Sequence, residues 1–273
     1  MTERGHPLNA VVINKVEVAP GLMVLRVAAD GWELPEFTPG QFAVLGLPPE
    51  APRWATADPE EKRPKSDRMI RRAYSIASSS VSREYFEFFI NMVQSGELTP
   101  RLFALATGDR IWLGPKVTGA FTLNEARPNS HLVLVATGTG LAPYMSMLRT
   151  KLPATPGQRI AVLLGARHSW DLGYHSELQA MQQQHANLSY LPTISRPDGE
   201  VRPWPGRVGY VLEAWRDGAV ERAWGFPPTP LTTSVFLCGN PRMIDDMCAL
   251  LASERYREHS RGCPGEIFVE RYW

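Results

Sequence analysis

His131-Leu132-Val133-Leu134-Val135-Ala136-Thr137-Gly138-Thr139-Gly140-Leu141-Ala142-Pro143 runs from an apolar stretch into a glycine turn and on into a helical pattern. The apolar stretch has the character of a strand buried on both faces. After the turn, Leu141, Tyr144, Met145 and Leu148 recur at i, i+3, i+4 and i+7, one face of a helix. Strand-like runs continue at Ile160–Ala166, Leu188–Ile194 and Val235–Cys238, alternating with helical ones. This alternation predicts a Rossmann-like parallel sheet with covering helices.

Upstream the pattern is different. Candidate strands are Ala10–Val18, Leu22–Ala29, Gln41–Leu47, Arg72–Ala77, Tyr85–Val93 and Asp109–Leu113, punctuated by Pro20-Gly21, Pro39-Gly40 and Gly114-Pro115. A short helical insert, Thr99–Ala106, interrupts them. Many short strands with little helix predict a small antiparallel β-barrel. Two domains are therefore expected, 1–127 and 128–273, with the boundary between Asn124 and Asn129. The Leu47–Ile70 stretch carries Pro48, Pro49, Pro52, Pro59 and Pro64 among charges and reads as a long, solvated excursion between barrel strands.

Composition removes several classes of function. A length of 273 residues suits two domains of ordinary size, and a hydrophobic fraction of 44% can supply a core for each. A net charge of +1 argues against a nucleic acid or other polyanion bound through bulk charge. Cys238, Cys248 and Cys263 lack paired spacing, so neither a disulfide framework nor an iron–sulfur or zinc site is expected, and a reducing cytoplasmic setting fits. The six histidines form no HExxH-type pair, which leaves metal chemistry without support. Met1–Pro7 has no apolar signal core, and no apolar run approaches the roughly 20 residues of a membrane span.

Chemistry-bearing residues cluster in a few places. Arg71-Arg72-Ala73-Tyr74-Ser75-Ile76-Ala77-Ser78 reads as a strand. Arg72 offers a rigid fork for phosphate oxygens, Tyr74 an aromatic face and Ser75 a small donor at a ring edge. Taken alone, the segment is equally an ordinary strand with a surface arginine. Thr137-Gly138-Thr139-Gly140 lies between strand and helix, where glycines let a diphosphate approach the backbone. Cys238-Gly239-Asn240-Pro241 is a second turn of that type; by itself Cys238 reads as a buried strand-end cysteine. Arg167 and Arg196 follow the second and third strands of the parallel sheet, and Arg207 follows in a turn. Arginines there favour NADP, whereas an acid would favour NAD.

The three motifs in this order resemble the ferredoxin–NADP reductase family of flavoenzymes, over about Leu8 to Trp273. The absence of a third glycine, with Pro143 in the first helical turn, fits that family better than a general dehydrogenase. The resemblance implies FAD on the barrel. Arg72 would meet the pyrophosphate, with Ala73 beside it. Tyr74 would pack on the isoalloxazine or ribityl chain, and Ser75 would sit near N5. The Phe88-Phe89-Ile90-Asn91 strand would offer backbone groups to the flavin edge, although plain barrel core is an equal reading of those side chains. Gly96-Glu97-Leu98-Thr99 would bring amide groups to the second phosphate, with Thr99 as N-cap of the short helix.

For NADP the resemblance implies the turns at Thr137, Gly138, Thr139 and Gly140 and at Gly239 and Asn240. Arg167, Arg196 and Arg207 would hold the 2′-phosphate. Cys238 would lie by the nicotinamide, and Glu270 would be a proton relay. Trp273 would stack over the flavin as a movable gate, or else serve as a hydrophobic latch. The family's connection at Leu47–Ile70 is usually shorter. The implied activity is electron transfer between NADP(H) and a separate one-electron carrier, ferredoxin or flavodoxin. A stand-alone NADPH-dependent flavin or quinone reductase is the alternative. A non-catalytic flavin-binding subunit is disfavoured, because both nicotinamide turns are intact.

Overall fold

The computed structural model describes residues 8–60, 68–152 and 157–271. The chain divides into two units, Met1–Ala120 and Phe121–Trp273.

The first unit contains β1 (Ala10–Ala19), β2 (Leu22–Ala29), β3 (Phe42–Leu47), β4 (Ile70–Ser75), β5 (Phe86–Asn91), α1 (Thr99–Ala104) and β6 (Arg110–Leu113). The strands form one sheet in the order β4-β3-β6-β1-β2-β5, and every pairing is antiparallel. Gly21, at φ +73°, makes the tight turn joining β1 to β2, a conformation that glycine adopts without strain. The sheet closes on itself where Ile76 bridges Phe88 and the Ala77 amide donates to the Glu87 carbonyl at 2.7 Å. Val12, Met23, Leu25, Leu45, Phe86 and Phe88 fill the interior and are almost wholly buried. Alternation of inward apolar side chains along each strand gives the barrel its core.

The second unit contains β7 (His131–Thr137), α2 (Ala142–Lys151), β8 (Ile160–Ala166), α3 (His175–Gln184), β9 (Leu188–Ile194), β10 (Arg207–Val208), α4 (Val211–Arg216), α5 (Ala219–Trp224), β11 (Thr233–Cys238), α6 (Pro241–Ser253) and β12 (Ile267–Glu270). Its sheet is parallel throughout, in the order β10-β9-β8-β7-β11-β12. The order runs outward from β7 in one direction through β8 and β9, then resumes on the other side with β11. The crevice between β7 and β11 is therefore a topological switch point, where open parallel sheets bind ligands at the carboxyl ends of their strands.

Both expected folds are present. The division falls ahead of the expected 127/128 boundary, and packing gives the reason. Phe121 sits with its ring 5.9 Å from that of Tyr144 and 5.5 Å from that of Phe236, and Arg127 pairs with Glu266 at 3.5 Å, so the stretch between belongs with the parallel sheet. The described part of the Leu47–Ile70 connection is solvent-facing, as expected, but it is also tied down. In its described part the Trp54 amide donates to the Pro100 carbonyl at 2.9 Å, and the Asp58 amide to the Gln94 carbonyl at 3.1 Å. Residues 48–60 are fastened along α1 and the loop before it.

Candidate functional site

In the first unit, β4 is an edge strand. Its Arg72, Ala73, Tyr74 and Ser75 stand opposite Leu45, Val44, Ala43 and Phe42 of β3. Arg72 and Ala73 are exposed, Tyr74 is half-buried and Ser75 is buried. Burial pushes the Tyr74 phenol well above its usual range, with Arg72 opposing, and its ring meets Phe88 edge-on at 6.5 Å. Tyr74 is therefore a neutral aromatic surface at ordinary pH. The Arg72 guanidinium donates to the Glu97 carboxylate at 2.6 Å and to the Arg71 carbonyl at 2.8 Å. That pair joins the Arg72 strand to the Gly96–Thr99 segment.

The side chains of the β5 segment divide as the sequence left open. Phe88 and Ile90 belong to the barrel core, Phe89 is buried, and Asn91 is exposed. A ligand at the first three would meet backbone. Thr99 is not the expected N-cap. Leu98 occupies that position with no side-chain cap, and its own side chain is buried in the core. The Thr99 hydroxyl instead donates to the Val93 carbonyl and accepts from the Val93 amide, both at 3.1 Å. It closes the 93–99 loop into a ring, within which Gly96 donates to the same carbonyl at 2.9 Å.

In the second unit the two glycine turns interlock. Ala136 and Cys238 are register partners at the carboxyl ends of β7 and β11. A Cβ on Gly140 would fall on the Cys238 carbonyl, and one on Gly239, at φ +141°, would fall on the Thr137 hydroxyl. The Asn240 amide donates to that hydroxyl at 2.8 Å. Asn240 caps α6, accepting from the Arg242 amide at 2.9 Å. Gly138 has φ +54° and nothing within 4 Å of where a Cβ would stand, so its backbone faces open space. Close backbone approach, an open glycine turn and a capped helix beginning suit an anionic diphosphate.

Cys238 also pairs in register with Glu270 of β12, so the structure brings these two together. Behind them stands Tyr144, fully buried, its hydroxyl donating to the Val135 carbonyl at 3.1 Å. Burial raises the Tyr144 phenol, and the neighbouring Cys238 and Glu270 add to the effect. Sequence reading assigned Tyr144 only to an apolar helix face. The expected site residue Trp273 lies outside the described residues.

Arg167 and Arg196 emerge together from the ends of β8 and β9, where the Arg196 amide donates to the Arg167 carbonyl at 2.8 Å. Both side chains are exposed; Arg167 contacts Asp171 at 3.3 Å. Arg207 differs: its guanidinium reaches the Glu213 carbonyl at 3.3 Å and forms an ion pair with Asp217. A clamp that the sequence did not signal joins the two loops. Glu200 accepts from the Ser169 amide at 2.7 Å and from its hydroxyl at 2.5 Å, and this holds the Glu200 carboxyl below the usual carboxylate range. His168 and Trp170 stack beside it, 4.4 Å apart.

Comparison with known proteins bears on this geometry. Residues 134–249 match the model of the oxidoreductase NAD-binding domain family. The chain is 30% identical over 245 residues to the ferredoxin–NADP reductase of Azotobacter vinelandii, covering 86% of each chain. It is 31% identical over 238 residues to the flavodoxin/ferredoxin–NADP reductase of Shigella flexneri, covering 87% of this chain and 88% of that one. This chain belongs to the ferredoxin–NADP reductase family. Its fold is that of the ferredoxin NADP+ reductase from Neisseria gonorrhoeae solved with bound FAD and NADP, with a TM-score of 0.80 at 22% identity over 97% of this chain and 98% of that one. In this member of the ferredoxin–NADP reductase family the candidate site residues offer two kinds of surface. The barrel offers a guanidinium beside a neutral aromatic; the parallel sheet offers an open glycine backbone and exposed arginines.

Among the described residues no three His, Cys, Asp or Glu side chains group as a metal site, and no helix is long and apolar enough to cross a membrane.

Proposed function

We propose that the protein is an FAD-dependent oxidoreductase that moves electrons between NADP(H) and a one-electron carrier protein, ferredoxin or flavodoxin. The carrying observation is the interlock of the Thr137–Gly140 and Cys238–Asn240 turns at the switch point of the sheet, in a chain with the relatives named above. FAD supplies the ability to exchange two electrons with a nicotinamide and one with a carrier. The protein's part is to bind, orient and exclude.

On the barrel, Arg72 holds the FAD diphosphate, aided by amide groups of Leu98 and Thr99, while Gly96, whose amide is taken by the Val93 carbonyl, shapes the loop that presents them. Ala73 lets the chain run close to the cofactor. Tyr74 packs its neutral ring on the flavin or its ribityl chain, and Ser75 donates near N5. The backbone of Phe88, Phe89, Ile90 and Asn91 meets the polar edge. On the parallel-sheet domain, Thr137, Gly138, Thr139, Gly140, Gly239 and Asn240 seat the NADP diphosphate. Arg167, Arg196 and Arg207 take the 2′-phosphate. Cys238 lies by the nicotinamide, Glu270 holds a proton for N5, and Trp273 covers the flavin face until nicotinamide arrives. Cytoplasmic residence suits its three cysteines, which form no disulfide.

The test is direct. The purified protein should be yellow and release FAD on denaturation, and it should reduce ferredoxin or flavodoxin with NADPH. Release of FMN, or turnover confined to small quinones and free flavins, would refute the assignment.

A further inference from the structure

The described part of the 48–60 segment ends in an ion cluster. Glu60 lies between two guanidinium groups, at 2.7 Å from Arg101 and 3.1 Å from Arg53. Arg101 is only 2% exposed, so its charge needs partners. It also donates to the carbonyls of Pro49, at 3.2 Å from Nε, and of Glu97, at 2.6 Å from Nη1. Arg53 donates to the carbonyls of Gly96 at 3.0 Å and Asp58 at 2.7 Å. Each guanidinium thus holds the Glu60 carboxylate and one carbonyl of the Gly96-Glu97 dipeptide. The Arg101 hydrogen bond draws the Glu60 carboxyl below its usual range, so it is charged at neutral pH.

The other side of that dipeptide carries the Glu97 carboxylate, which sets Arg72 at 2.6 Å. The order of connection is therefore Glu60 to Arg53 and Arg101, these to the Gly96-Glu97 backbone, and Glu97 to Arg72. The middle of the segment is fixed by other contacts. Trp54 packs edge-on against Phe103 at 6.4 Å, and the Lys15 ammonium lies 5.2 Å above its ring while donating to the Leu105 carbonyl at 2.8 Å. Fixed at both places, the segment cannot shift without moving α1 and the loop before it.

We propose that Glu60, acting through Arg53 and Arg101, is a positioning residue for the FAD diphosphate: it holds the Gly96-Glu97 backbone in the form that meets the phosphate. The inference rests on the FAD reading given above. Removing the carboxylate leaves two like charges side by side, one of them buried, and they separate. The Gly96 and Glu97 carbonyls then lose their donors, and the cofactor must order the loop as it binds.

The experiment uses the full chain, stripped of flavin and titrated with FAD by fluorescence, at a temperature where every variant is fully folded by circular dichroism. Glu60→Gln should bind FAD about tenfold more weakly, the size of a lost charge-assisted contact. Without FAD, its Gly96 and Glu97 amides should exchange with deuterium faster than in wild type. Affinity for 2′,5′-ADP, a probe of the other unit, should not change. Arg53→Ala, which leaves the Arg101–Glu60 pair in place, should weaken FAD severalfold and serves if Glu60→Gln does not fold. Wild-type FAD affinity in whichever of these variants folds overturns the role of Glu60, whatever happens to thermal stability. A wild-type chain that takes up no FAD overturns the functional reading itself.

Discussion

The Arg72 guanidinium and the Glu97 carboxylate meet at 2.6 Å although they stand 25 residues apart in sequence. Each is about half exposed, at 54% and 46%. The pair therefore contributes little to stability, at most about 1 kcal/mol. It does place the arginine proposed to meet the FAD phosphate, and it gives that arginine a competitor.

The competition predicts opposite effects from the two partners. Glu97→Gln keeps the shape and releases the guanidinium, so FAD should bind more tightly, by up to about fivefold. Arg72→Ala should weaken FAD by about tenfold or more. Flavin fluorescence titration of the stripped protein measures both. A Glu97→Gln protein that binds FAD more weakly would mean that the carboxylate is part of the site rather than a rival for Arg72.

The interlocked turns predict a graded glycine series. At Gly140 a methyl group meets the Cys238 carbonyl and the Gly239 amide, which are backbone and cannot rotate away. Gly140→Ala should cost roughly 1–3 kcal/mol, the range for overpacking, and should abolish binding of NADP. Gly138→Ala meets open space, and its φ of +54° carries only the left-handed penalty of about 1–2 kcal/mol. Urea unfolding with a parallel 2′,5′-ADP titration separates the two. Similar NADP affinity in both variants would count against a cofactor role for the interlock.

Much of this was legible in the sequence because the signals are local. The runs at Leu132–Ala136, Ile160–Ala166, Leu188–Ile194 and Val235–Cys238 became the four central strands; in β7, β8 and β11 burial on both faces writes a near-continuous apolar string, while β9 is only partly buried. Both glycine turns fell at strand ends as expected. The strands β10 and β12, of two and four residues, lie at sheet edges and are too short to show a period. Thr99 looked like a cap because the residue type favours it, but its hydroxyl found Val93 first. The docking of the 48–60 segment was invisible for another reason. Its contacts are arginines on backbone carbonyls, and no spacing of residue types encodes which carbonyl lies within reach.

The second unit predicts unequal arginines. Arg196 is exposed, whereas Arg167 contacts Asp171 and Arg207 is engaged by Asp217 and the Glu213 carbonyl. A phosphate gains more from a free guanidinium than from one that must first leave a carboxylate. Arg196→Ala should raise KM for NADPH about tenfold and leave KM for NADH almost unchanged. Arg207→Ala should have a smaller effect, about two- to threefold, because an exposed ion pair is lost along with the contact. Steady-state kinetics with both nucleotides decide the order, and equal damage to NADPH and NADH from Arg196→Ala would remove the 2′-phosphate role.

Cys238 offers a way to separate scaffold from chemistry. Its backbone carbonyl abuts Gly140 and its register partner is Glu270, while its side chain is fully buried. Cys238→Ala keeps the backbone interlock and changes only the sulfur, so the diphosphate turn should survive. If the thiol packs beside the nicotinamide, as proposed, the loss appears where the ring must be aligned for hydride transfer. Small misplacements there have large kinetic effects, on the order of a hundredfold for 1 Å. The expectation is a kcat at least about tenfold lower with 2′,5′-ADP affinity and the urea midpoint near wild type. Stopped-flow reduction of the flavin by NADPH reads this step alone. A reduction rate equal to wild type would leave Cys238 as a packing residue whose backbone, not its sulfur, serves the site.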